Sequence, residues 1–137
     1  MSLFKKILKF LGLEVYTISL QSFKEQFGNM MEMEWKEVKV KSPDGMISKY
    51  KTFPINEIRC KNDEGKEVIL KIKPSIEMRV TYSNNKKSVF YFDKIKVENN
   101  TISGSQSRIF GFITKEIHFR DITKIEIQDG RKQFKYV

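Results

Sequence analysis

The spacing of apolar residues changes period along the chain. In the first thirteen residues, Leu3, Phe4, Ile7, Leu8 and Leu11 fall on one side of a 3.6-residue helix. Lys5, Lys6 and Lys9 fall on the other, with Phe10 at the margin. A second helix is punctuated more fully. Ser19 is a good N-cap, Ile18 can staple onto Phe23, Leu20, Phe23 and Phe27 recur at helical spacing, and Gly28 supplies a stop. At about nine residues this helix is too short to stand alone, so its stripe must pack on the rest of the domain.

From Met33 the period becomes two. Val38 and Val40 alternate with Lys39 and Lys41, Pro43-Asp44-Gly45 turns the chain, and Met46 to Phe53 returns as a second strand. Ile58 and Cys60 follow, then the Asn62-Asp63-Glu64-Gly65 turn and a strand over Val68 to Ile72. Ile76, Met78, Val80 and Tyr82 alternate with polar residues, and Ser83-Asn84-Asn85-Lys86 forms a hairpin loop. Val89-Phe90-Tyr91-Phe92 is apolar on both faces, which predicts a central strand covered on both sides. Ile95 and Val97, Ile117 and Phe119, and Ile125 and Ile127 each mark a further strand. Asn99-Asn100 is a turn, Asp129-Gly130 is the strongest hairpin signal, and Phe134 and Tyr136 close the domain. The expected architecture is mainly β: a single barrel or sandwich of about nine to eleven short antiparallel strands, preceded by two short N-terminal helices. Residues 1–13 form the amphipathic cationic helix, and residues 14–137 form one β-rich domain with a short helix near 19–27.

Composition agrees with this reading. Eleven Phe and five Tyr favour a β-rich interior, and 137 residues make one domain. The net charge of +9 is unevenly spread: +3 over residues 1–13, +1 over 14–85 and +5 over 86–137. That excess calls for an anionic partner, whether phospholipid head groups, an acidic protein or nucleic acid. The single cysteine, Cys60, excludes an internal disulfide and a thiolate zinc site, and its strand position predicts a buried, inert thiol. The first apolar run is broken by Lys9 and ends at Glu14, too short for an export signal or a bilayer span.

Catalytic patterns are sparse. No Gly-rich loop opens a helix after a strand. The only histidine, His118, lies on an alternating strand with Glu116 and Arg120 and reads as a solvent-facing cross-strand partner. The carboxylates never cluster at metal-ligand spacing, so no metal, no cofactor and no enzyme activity are expected. The unusual stretch is residues 103–113, where small polar residues give way to Arg108, Phe110 and Phe112 around Gly111. One reading is a bulged strand with its aromatics in the core. The other is a loop whose Arg108 meets an anion while Phe110 and Phe112 enter a membrane or partner. Lys86-Lys87 before Phe90-Tyr91-Phe92, and residues 131–136, have the ingredients of a nucleic-acid surface, though no sequence-specific motif is present.

The run Ile117-His118-Phe119-Arg120-Asp121-Ile122-Thr123-Lys124-Ile125-Glu126-Ile127-Gln128-Asp129-Gly130 resembles the strand–corner–strand pattern of bacterial pleckstrin-homology-like domains. It also resembles the C-terminal part of small Bacteroidetes lipoproteins. Tyr16-Thr17-Ile18-Ser19 is similar to the segment after the lipid-carrying cysteine in the latter, with Val15 standing in the cysteine's place. The resemblance implies a β scaffold at a membrane surface, in the cell envelope, with no enzyme activity.

The functional expectation is a non-catalytic module that associates peripherally with an anionic membrane. Leu3, Phe4, Ile7, Leu8 and Leu11 would enter the interface, and Lys5, Lys6 and Lys9 would meet head groups. The alternatives are a protein-interaction domain that forms a homo-oligomer through the same helix, and a non-specific nucleic-acid-binding β-barrel. Without the lipoprotein resemblance, the sequence reads as cytoplasmic or peripheral-membrane.

Overall fold

The computed structural model describes residue 3 and residues 14–105, 114–130 and 132–137. In these the chain runs β1 (Val15–Ile18), α1 (Leu20–Phe27), β2 (Lys36–Lys41), β3 (Ile47–Thr52), β4 (Glu57–Lys61), β5 (Glu67–Lys71), β6 (Ile76–Tyr82), β7 (Lys86–Tyr91), β8 (Ile95–Glu98), β9 (Thr101–Ser105), β10 (Thr114–His118), β11 (Ile122–Asp129) and β12 (Lys135–Tyr136). Single 3-10 turns lie at Met30–Glu32, Phe92–Lys94 and Phe119–Asp121.

The fold is mainly β and every strand pair is antiparallel. Among the described residues the strands form three open sheets rather than a closed barrel: β5-β4-β1-β11-β6-β7, β10-β9-β8 and β12-β2-β3. The strand periodicity that predicts one barrel or sandwich holds cleanly within β3, β4, β5 and β8. It does not specify closure, because the chain repeatedly leaves one sheet for another through a short 3-10 turn.

α1 is set by local chemistry. The Ser19 hydroxyl accepts from the Ser22 N–H at 3.1 Å, capping the first turn. Phe23 and Phe27 point inward and are fully buried. Their rings meet each other at 5.1 Å, Phe23 meets Phe119 at 6.4 Å, and Phe27 meets Phe53 and Phe92 at 6.0 and 5.2 Å. An aromatic cluster thus joins the helix to the ends of β3, β7 and β10. Each buried Phe contributes about 1.5–3 kcal/mol, which is what holds a two-turn helix together. Gly28 ends the helix, but not as a left-handed cap. Its φ is −62° and its N–H bonds the Lys24 carbonyl. A Cβ there would stand 2.4 Å from the Lys24 carbonyl oxygen, which is why glycine is needed.

The sheet β5-β4-β1-β11-β6-β7 turns Ile58, Cys60, Ile18, Ile125, Ile127, Met78, Val80 and Phe90 into the core. It nearly splits in the middle, where β1 and β4 pair only at Thr17 and Lys61. The Gln26 side chain closes that gap. Its amide donates to the Arg59 carbonyl and accepts from the Arg59 N–H, both at 2.8 Å, so it occupies the place of a missing strand.

Two expectations are corrected. Val89–Phe92 is not a doubly covered central strand. β7 is the outer strand of its sheet and Val89 is 38% exposed. The apolar run is continuous because the chain changes to a 3-10 turn at Phe92, which swings that ring inward beside the buried Phe90. Asp129-Gly130 is not a hairpin turn either. β11 stays in its sheet, the Gly130 N–H bonds the Ser75 carbonyl at 2.9 Å, and β12 crosses to pair with β2. A Cβ at Gly130 would collide with the Glu77 carboxylate at 1.9 Å, so the glycine serves close packing rather than a turn.

Candidate anion-binding face

The most distinctive surface is the outer face of β12-β2-β3. The β2–β3 hairpin is built by its turn. Gly45 sits at φ +90°, the Asp44 carboxylate accepts from the Met46 N–H and the Ser42 hydroxyl, and the Ser42 N–H bonds the Met46 carbonyl at 2.8 Å. The Ser42 hydrogen bond, followed by the Met46 N–H, lowers the Asp44 pKa below its ordinary value. With the turn fixed, alternation sorts the side chains. Val38, Val40, Tyr50, Thr52 and Tyr136 take the inner face. Lys39, Lys41, Lys49, Lys51 and Lys135 take the outer face, with Glu37, and all six are exposed.

The register places like charges together. Lys39 lies opposite Lys49, and Lys41 opposite Lys135. Counting from the Ser42–Met46 bond, Lys39 and Lys49 form a non-hydrogen-bonded pair, the type with closer side chains. Only Lys51 faces an acid, Glu37. Apolar groups lie among the lysines. Ile47 continues the Lys41–Lys135 row, Met46 caps the tip, and Val137, whose N–H bonds the Lys39 carbonyl at 3.0 Å, lies beside Lys39. These three are 57–63% exposed.

The inner face is clamped. Asp93, in the 3-10 turn after β7, is fully buried. Its carboxylate accepts from the hydroxyls of Tyr50 and of Tyr136, the latter at 2.9 Å, and its carbonyl accepts from Thr52 Oγ1 at 2.7 Å. One buried acidic side chain therefore anchors β3 and β12 to the end of β7, and the lysine face is held on a fixed platform. Past the β3 edge the basic character continues into a groove of about 300 Å³ with Lys51, Lys94 and Lys96 in its walls, where Lys94 Nζ stands 4.9 Å from the centre of the Tyr50 ring.

Of the residues singled out in the sequence, Leu3 is described, and it is 75% exposed. Phe4, Lys5, Lys6, Ile7, Leu8, Lys9 and Leu11, and likewise Arg108, Phe110 and Phe112, lie outside the described residues. Before that second stretch, β9 runs through Ser105, and a Cβ on Gly104 would press on Phe90 and Ile95 at 3.2–3.3 Å. His118 is exposed and shares a 3.2 Å hydrogen bond with Thr101 Oγ1. Cys60 is buried, and burial pushes its thiol up to about 11, so it stays protonated and unreactive at neutral pH.

Among the described residues, no three His, Cys, Asp or Glu side chains converge to hold a metal ion, and no helix is long and apolar enough to cross a membrane. The lysine face does not show in the charge of its segment, since residues 14–85 sum to only +1. The usable signal was Lys-x-Lys in both arms of one hairpin. The chain matches no protein-family model, no curated protein and no solved structure.

Proposed function

We propose that this chain is a non-catalytic β module that docks peripherally on an anionic lipid surface. Its N-terminal amphipathic segment enters the interface and the lysine face of β12-β2-β3 lies against the head groups. The observation that carries this reading is the outer face itself: five exposed lysines, two pairs of them directly opposed, interspersed with exposed Met46, Ile47 and Val137. Lysines mixed with apolar groups suit a head-group boundary, where each Lys contributes about 1 kcal/mol. A nucleic-acid surface would instead set aromatic rings among the cations. Among the described residues, no ring lies among the five lysines on the outer face of β12-β2-β3: Tyr50 and Tyr136 turn to the other face and bond Asp93, and the nearby ring that meets a cation, Tyr50 with Lys94, does so in the neighbouring groove. The exposure of Leu3 and the lipoprotein-like runs at 16–19 and 117–130 favour the same reading.

The test is sedimentation of the full chain with vesicles of phosphatidylglycerol and phosphatidylcholine against vesicles of phosphatidylcholine alone, with and without residues 1–13. The expected result is salt-sensitive pelleting with the anionic vesicles only, weakened by removing residues 1–13 and retained in part through the sheet. Equal pelleting with both vesicle types, or none with either, would overturn the proposal. So would binding to an oligonucleotide that vesicles fail to compete away.

A further inference from the structure

The edge strand β5 carries a second inference, independent of the membrane reading. Its neighbour is β4 on one side only, so one rim of the sheet is unpaired among the described residues. The phase of that rim can be read from its ends. Ile72 N–H bonds the Asn56 carbonyl at 2.8 Å and Asn62 N–H bonds the Lys66 carbonyl at 2.9 Å. Alternation then points the backbone groups of Val68 and Leu70 at β4 and leaves those of Glu67, Ile69 and Lys71 directed outward. The outward side chains are an acid, an aliphatic residue and a base, and Ile69 is 61% exposed.

This edge lacks the protection seen on others. β3 presents Lys49 and Lys51, and β7 begins with Lys86 and Lys87, so a second copy of either strand would meet like charge. β5 is self-complementary. Laid antiparallel on its own copy with Ile69 opposite Ile69, it sets Glu67 opposite Lys71 twice, and Val68 opposite Leu70. The same register joins the three residues whose backbone groups are free. We infer that two copies of this chain pair through β5 about a two-fold axis at Ile69, fusing their six-stranded sheets into one continuous sheet. The symmetry is that of an isologous dimer. A ladder of this length lies at the small end of specific interfaces, below about 1,200 Å², so the dimer is concentration-dependent.

The experiment is sedimentation equilibrium of the full chain over about a hundredfold concentration range, comparing wild type with Ile69→Lys. An exposed site accepts this change without unfolding, which circular dichroism verifies. Alongside it, Ile69→Cys is oxidised and compared with Ile47→Cys, a similarly exposed control on β3. Paired Cα atoms about 5.5 Å apart are within disulfide reach, and the buried Cys60 does not compete. The expected result is a monomer–dimer equilibrium weakened at least tenfold by Ile69→Lys, with a covalent dimer from Ile69→Cys and none from Ile47→Cys. A wild type that stays monomeric, a dimer indifferent to Ile69→Lys, or equal cross-linking at both cysteines would overturn the inference. None of these outcomes depends on lipid, so failure here leaves the membrane proposal standing.

Discussion

The outer faces of β5-β4-β1-β11-β6-β7 and of β12-β2-β3 are both exposed and rich in charge, yet they are arranged by opposite rules. On the first, register sets Glu57 opposite Lys71, Lys61 opposite Glu67, and Glu126 opposite Arg79. On the second it sets Lys39 opposite Lys49 and Lys41 opposite Lys135. Opposite charges across a ladder contribute about 0.2–1 kcal/mol and like charges cost a similar amount. The first face therefore supports its own fold and the second works against it. Lysine on an edge strand also deters aggregation, which accounts for Lys49 and Lys51 on β3. It does not account for Lys39 and Lys41, since β2 lies between β3 and β12 and needs no such guard. In the membrane reading we propose, what the lysine face costs the fold would be recovered when an anionic surface meets it.

The largest expected effect comes from breaking the platform beneath the lysines. Asp93→Ala removes the carboxylate that accepts from Tyr50 and Tyr136 and leaves both hydroxyls without it. Stability should fall by about 1–3 kcal/mol for each of the two bonds lost, read as a lower denaturant midpoint. Tyr50→Phe removes one of those bonds and should cost about 1.5–3 kcal/mol.

Charge reversal separates the two faces more sharply. Lys39→Glu with Lys135→Glu turns both like-charged pairs into opposite ones. Each exchange removes a like-charge cost and adds an opposite-charge gain, so the fold should gain about 0.4–2 kcal/mol per pair, while vesicle affinity falls by at least about 2 kcal/mol, roughly thirtyfold or more. Arg79→Glu, on the other face, should do the reverse. It replaces an opposite-charge pair by Glu opposite Glu126, costs about 0.4–2 kcal/mol of stability and leaves vesicle binding within about twofold of wild type.

The smallest effect at neutral pH concerns Cys60. Burial raises its folded-state pKa to about 11, above an unfolded value of about 8.5. The folded chain holds the proton longer, so this contribution is intact below about pH 8.5 and is lost as pH rises toward 11. Cys60→Ala should flatten that part of the alkaline decline, measured by denaturant titration at several pH values.

Local chemistry in the sequence carried much of the fold. The Ser19 cap, the stripe of Phe23 and Phe27, the turns at Gly45, Gly65 and Asn84–Asn85, and the alternation of β6 all arise from a few neighbouring residues. Legibility stops where distant segments meet. Nothing near Asp129-Gly130 shows that β12 crosses to β2, and nothing near Asp93 shows that Tyr50 and Tyr136, each 43 residues away, converge on it. The lysine face fails for the same reason. Lys135 joins it only through the β12–β2 pairing, and the opposition of Lys39 to Lys49 depends on a register fixed by the Ser42–Met46 turn.

The most direct measurement takes one variant through two assays. Lys39→Glu/Lys135→Glu is compared with wild type for unfolding midpoint in denaturant and for partition onto phosphatidylglycerol vesicles at low salt. The expected result is a more stable protein that binds the vesicles roughly thirtyfold or more less well. A variant that is more stable and still binds as tightly as wild type would contradict it, because the opposed lysines would then serve no anionic surface.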